Sequence, residues 1–141
     1  MAKRVSSNSS KALVLCDSGV FFRVFRGDKT MWKEINHIGF DRLALSTVTK
    51  GEAYYGMKDS EVTRTKQTLN LFKHFQLNRE SCTRFEQMMY EYRVNHPQLP
   101  DCMIAAVALS INAQLFTLNK KDFVYYEGLT FYKSKLKHSW E

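Results

Sequence analysis

The chain has 141 residues, enough for one domain with a sizeable core and too few for two ordinary ones. Hydrophobic residues at 44% and charged residues at 25% are those of a water-soluble domain, and no apolar run approaches the roughly 18 residues a membrane helix requires. The net charge of +7 points to a polyanionic partner, although much of the excess sits at the two ends, on Lys3, Arg4, Lys11, Lys133, Lys135 and Lys137.

Residues 1–11 are polar, with four serines between positions 6 and 10, and lack any helical or strand period, which predicts a disordered tail. The apolar run Ala12–Cys16 is too short for a signal-peptide core and follows that polar stretch, so a cytoplasmic protein is expected. Uninterrupted hydrophobicity over strand length predicts a first strand covered on both faces, ended by Asp17. Ser18 and Gly19 turn the chain into a short apolar helix, Val20–Phe25, that stops around Gly27. Met31, Trp32, Ile35 and Ile38 at helical spacing predict a second helix over Lys29–Ile38, with Gly39 just past its end.

Leu43–Ser46 reads as the next strand, followed by a helix from Thr47 toward Gly56 that carries Glu52. The spacing of Thr49 and Glu52 also fits a capping box, which would give the glutamate a purely local task. An amphipathic helix is expected from about Ser60 to His74, a short strand over Phe75–Leu77, and a helix marked by Cys82, Phe85, Met88, Met89 and Tyr92 that ends before Pro97. Pro100 and Asp101 open an apolar helix leading into a strand at Leu115–Thr117, with Asn119 and Asp122 beyond it. Gly128–Tyr132 is a candidate edge strand, and residues 133–141 form a basic C-terminal tail, leaving 12–132 as the folded domain. Strands alternating with helices predict a parallel sheet with helices on both faces. The three cysteines are far apart, lack metal-site spacing to the histidines, and read as reduced thiols.

Asp17, Glu52, Asp101, Asn119 and Asp122 share one placement: each follows a strand's C-terminal end or opens a helix, positions that a parallel sheet gathers on one rim. Carboxylates brought together repel unless a cation holds them, and hard divalent cations prefer oxygen ligands. Such a centre suits phosphoryl chemistry, with water as nucleophile. No nucleophile elbow, phosphate-cradling glycine loop or HExxH is present to suggest another chemistry.

Three segments, Leu13-Val-Leu-Cys-Asp17-Ser18, Leu45-Ser-Thr-Val-Thr-Lys-Gly-Glu52-Ala-Tyr-Tyr-Gly56, and Leu99-Pro-Asp101-Cys-Met-Ile-Ala-Ala106 followed by Leu115-Phe-Thr-Leu-Asn119-Lys-Lys-Asp122-Phe123, are similar in order and spacing to the motifs of PIN-domain nucleases of the VapC toxin type. The resemblance runs from about Leu13 to Leu129. It implies a three-layer α/β/α sandwich with a central, mainly parallel sheet of four to five strands. It also implies Mg²⁺ or Mn²⁺ held by Asp17, Glu52 and Asp101, with Asn119 or Asp122 completing the site and Ser18 supporting it. The activity implied is endonucleolytic cleavage of RNA, commonly a structured translational RNA, leaving a 5′-phosphate and a 3′-hydroxyl. The setting implied is a toxin–antitoxin pair, with a cognate antitoxin protein as partner, often on a homodimer. Lys50, Lys120, Lys121 and Arg23 lie near these motifs and are candidates for phosphate contact. In this family Asn119 stands where an aspartate is frequent and Ser18-Gly19 where a Thr-Asn pair is, which leaves an alternative: a PIN-fold module, weakened in catalysis, that binds RNA or a partner protein. A receiver-type signalling domain also gathers aspartates at strand ends, but Asp17 lacks the acidic neighbour such domains carry.

Overall fold

The computed structural model describes residues 12–136, so the predicted N-terminal tail and residues 137–141 lie outside the described residues. Four strands, β1 (Val14–Cys16), β2 (Leu43–Ser46), β3 (Lys73–Phe75) and β4 (Gln114–Phe116), form one sheet in the order β3-β2-β1-β4. Every neighbouring pair is parallel. Between and beside the strands run α1 (Ser18–Phe25), α2 (Lys29–Ile38), α3 (Thr47–Tyr55), α4 (Val62–Leu69), α5 (Arg79–Glu91) and α6 (Leu99–Ser110). The result is the expected PIN-like α/β/α sandwich. Among the described residues no helix is long and apolar enough to cross a membrane.

The central strands explain why their sequence is apolar throughout. Successive side chains of a strand point to opposite faces, and each face here meets its own helical layer. Val14, Cys16, Leu43, Leu45 and Phe116 join a core with Phe21, Val24, Met31 and Ile35 of α1 and α2. Leu15, Ala44 and Leu115 join another with Ile104, Ala105 and Ala108 of α6. With no face left to solvent, no strand position at the sheet's centre can be polar until the strand ends.

Helix ends follow local chemistry. Asp17, Asp28, Ser46 and Asn78 each accept a bond from a backbone N–H of the helix they precede. Gly39, at φ 94°, turns the chain out of α2. The long helix expected to reach His74 stops at Leu69, because Phe72 turns into the core and His74 Nε2 bonds the Leu69 carbonyl at 2.7 Å. That stop moves the third strand two residues earlier than the pattern suggested. The Gly128–Tyr132 segment makes a single parallel bridge, Phe131 to Leu115, rather than a fifth strand. Beyond it, residues 133–136 stay on the body, held by Glu34, so the chain does not become a free tail at Lys133.

Candidate functional site

The sheet's register builds the centre of the site. Cys16 pairs with Phe116 across β1 and β4, so the residues that follow, Asp17 and Thr117, emerge side by side at the C-terminal rim. The Asp17 N–H donates to the Phe116 carbonyl at 3.0 Å, which extends the ladder by one bond. Asp17 is 9% exposed and uses both carboxylate oxygens: Oδ1 accepts the Val20 N–H at 3.0 Å, and Oδ2 accepts the Thr117 hydroxyl. The cap and the candidate ligand are therefore one residue. Burial raises its proton affinity, and the Thr117 and backbone hydrogen bonds oppose that rise.

Glu52 enters from the neighbouring strand. Ser46 caps α3 and accepts the Thr49 N–H at 3.4 Å, so the helix starts two residues before Thr49 and the Thr49–Glu52 capping box does not form. Glu52 is thereby set one turn inside the helix. Its Oε1 is buried with no hydrogen-bond partner among the described residues, an arrangement that costs energy and asks for a ligand.

Asp101 occupies the first turn of α6, behind Pro100, where the partial positive charge of the helix start favours an anion. Its carboxyl is nevertheless pushed up to about 6, first by desolvation and then by the charges of Asp122, Asp17 and Glu52. Acids spread over more than a hundred positions, from Asp17 to Asp122, thus come within electrostatic reach of Asp101. Asp122 closes a 3-10 turn after β4 and accepts a hydrogen bond from the Asn119 side-chain amide. Asn119 is tied in turn to the rim, its N–H donating to the Thr117 hydroxyl at 3.0 Å.

This donor set fits a hard divalent cation: all oxygen, mutually repelling, with a buried carboxylate oxygen left unpartnered. Among the described residues, no three acidic, histidine or cysteine side chains already close on one point as a metal-binding group.

The other predicted residues are placed as follows. Ser18 is the first residue of α1, next to Asp17. Lys120 and Lys121 are exposed on the turn between Asn119 and Asp122. Lys50 lies one turn into α3 with Nζ 3.3 Å from His74 Nδ1. Arg23 is engaged at the α1–α2 corner, in an ion pair with Asp28 at 3.1 Å. Sequence reasoning assigned no role to Thr117 and Glu34. For Thr117 a signal existed, since a hydroxyl ending a buried strand beside an acid-ending strand has few other uses. For Glu34 there was none, because a glutamate in an amphipathic helix reads as a solvated residue.

A parallel sheet in the order β3-β2-β1-β4 between two helical layers is the fold of a known class, and the chain belongs to it: the PIN domain family, whose model matches residues 14–128. Solved structures share the fold. A toxin-antitoxin complex from Klebsiella pneumoniae is 24% identical with a TM-score of 0.71, covering 83% of this chain and 95% of that one. DNA-bound VapBC from Salmonella typhimurium is 17% identical with a TM-score of 0.77, covering 86% and 98%. VapBC-1 from nontypeable Haemophilus influenzae is 18% identical with a TM-score of 0.73, covering 86% and 97%. No curated protein sequence matches the chain.

Proposed function

We propose that this chain is a divalent-metal-dependent endoribonuclease acting in the cytoplasm as the toxin of a type II toxin–antitoxin pair. The observation that carries the reading is the half-buried Asp101 carboxyl at the rim of the sheet, pushed up to about 6 first by desolvation and then by the charges of Asp122, Asp17 and Glu52. Asp17, Glu52, Asp101 and Asp122 would hold Mg²⁺ or Mn²⁺. When bound, the ion supplies charge neutralisation at the phosphodiester and Lewis acidity toward the attacking water. The chain's own part is orientation. The Val20 N–H and the Thr117 hydroxyl fix both oxygens of Asp17, Asn119 turns Asp122 toward the cluster, and Glu52 keeps one oxygen uncommitted.

The structural neighbours from Klebsiella and Salmonella are a toxin-antitoxin complex and a VapBC complex, and the same pairing with a cognate antitoxin is proposed here. A groove of about 370 Å³ between α1, α3 and α4 supports it, with Phe21, Phe22 and Phe25 inside and Arg26, Lys58 and Arg64 outnumbering Glu61 along it. Such a groove suits a segment mixing apolar and acidic side chains. A homodimer is part of the proposal.

The test is incubation of purified protein with total cellular RNA in Mg²⁺, Mn²⁺ or chelator, followed by mapping of the ends. The proposal requires cleavage with 5′-phosphate and 3′-hydroxyl ends that chelator stops and Asp17→Ala abolishes. RNA binding that ignores chelator, with no cleavage in any metal, would assign the chain to the non-catalytic module instead.

A further inference from the structure

Glu34 lies in the middle of α2 and is completely buried, a costly place for a carboxylate unless donors surround it. They do. The Tyr132 and Ser134 hydroxyls and the N–H groups of Lys135 and Leu136, at 3.1 and 3.2 Å, all donate to its two oxygens. Every one of these donors belongs to the segment after the Phe131 bridge. The same segment is tied to the sheet, with the Tyr132 N–H on the Leu115 carbonyl at 2.9 Å and the Tyr132 ring 5.0 Å from that of Phe116. A solvated tail needs no such anchor.

The anchor shapes a cleft. Tyr132, Lys133 and Ser134 form one side of a cavity of about 460 Å³ whose remaining lining is Phe116, Thr117, Leu118 and Lys120. Among the described residues no carboxylate lines it, and the two charged side chains that do, Lys120 and Lys133, are both positive and exposed. Thr117 is the shared wall, since its hydroxyl binds Asp17 on the acidic side. A positive cleft thus begins where the negative rim ends.

We propose that this cleft holds a backbone phosphate of the RNA strand adjacent to the one that is cut, with Lys133 and Lys120 as its counter-charges, and that Glu34 is the positioning residue keeping Lys133 in place. The inference rests on the nuclease reading above. It separates phosphate binding from the carboxylates that carry the chemistry.

The experiment measures binding of a labelled single-stranded RNA in Mg²⁺ across a salt series, in an Asp101→Asn background that blocks cleavage. Each phosphate neutralised contributes about 0.7 to the slope of log affinity against log salt for a single strand, equivalent to about 5-fold in affinity at 0.1 M salt. Lys133→Ala and Lys120→Ala should each lower the slope by about that amount. Lys135→Ala, exposed on the same segment but outside the cleft, should leave it unchanged. Glu34→Gln should reproduce the Lys133→Ala loss and add nothing to it in the double variant. Should Glu34→Gln fail to fold, the contrast between Lys133 and Lys135 still decides. Equal losses for Lys133→Ala and Lys135→Ala would reduce the effect to diffuse tail charge, and an unchanged slope for Lys133→Ala would remove the cleft from RNA binding; either result overturns the inference. Cleavage by the otherwise unaltered chain is scored alongside. A normal cleavage rate with an unchanged Lys133→Ala slope sinks the cleft alone, whereas no cleavage with a lowered slope sinks the nuclease reading and leaves the cleft standing.

Discussion

Replacing Asp101 with asparagine is expected to make the metal-free protein more stable. An ordinary aspartate titrates near 3.9, and the Asp101 carboxyl lies at about 6 through desolvation and the charges of Asp122, Asp17 and Glu52. Its folded value is the higher one, so the folded chain binds the proton more tightly than the unfolded chain. The favourable contribution is therefore complete below about pH 4, is lost as pH rises to about 6, and is absent above that. At full weight the displacement is worth about 3 kcal/mol. Asp101 is only half-buried, and solvent screening reduces this to about 1–1.5 kcal/mol. Losing an acid from the first turn of α6 opposes the gain by about 0.3–1 kcal/mol. The net expectation at pH 7.5 is a stabilisation of up to about 1.2 kcal/mol, or up to about 4 °C in Tm.

The assay is thermal unfolding followed by circular dichroism in chelator between pH 4 and 8, reading the difference between parent and Asp101→Asn. That difference should grow in the variant's favour from pH 4 to 6 and then level off. Adding Mg²⁺ should raise the parent's Tm by mass action and close or reverse the gap. A variant that is less stable at pH 7.5 in chelator, or a difference flat across the pH 4–6 window, would show that the acids do not strain one another.

Thr117→Val removes the hydroxyl that lowers the proton affinity of Asp17, so the acid limb of the pH–rate profile for RNA cleavage should move to higher pH. An unmoved limb would mean Asp17 does not control it. Gly39→Ala places a Cβ 2.8 Å from Asp41 Oδ1 at a φ of 94°, and urea denaturation should show a loss of about 1–3 kcal/mol. Leu15→Ala opens a hole at the fully buried centre of β1 and should cost about 2–5 kcal/mol by the same method, whereas an exposed change such as Lys121→Ala should cost nothing measurable.

The parts of the fold that were legible are those whose signal is local. The bounds of α2 and β2 follow from a 3.6-residue stripe ending at Gly39 and from an apolar run ending in Ser46. The rim placement of Asp17 followed from the same logic, because a strand buried on both faces can place an acid only where it ends. What the pattern missed depends on contacts between distant segments. The stop at Leu69 needs Phe72 and His74, and the residues that follow the lone Phe131 bridge are held by Glu34, almost a hundred positions away. The pairing of Asp17 with Thr117 required the register of β1 against β4, which no single segment contains. Asn119 and Asp122 could not be separated from spacing, since both suit a turn. What distinguishes them is tertiary: the Asn119 amide donates to Asp122, and the Asp122 charge is felt at Asp101.

The central claim is that four carboxylates share one cation at the C-terminal rim of the sheet. Diffraction from Mn²⁺-soaked crystals, recorded for the anomalous signal of the metal, tests it most directly. The account predicts a peak contacted by Asp17 and Asp101 and bordered by Glu52 and Asp122, absent from Asp17→Ala crystals. Saturating Mn²⁺ that leaves no peak among these residues, or binds elsewhere on the surface, would contradict it.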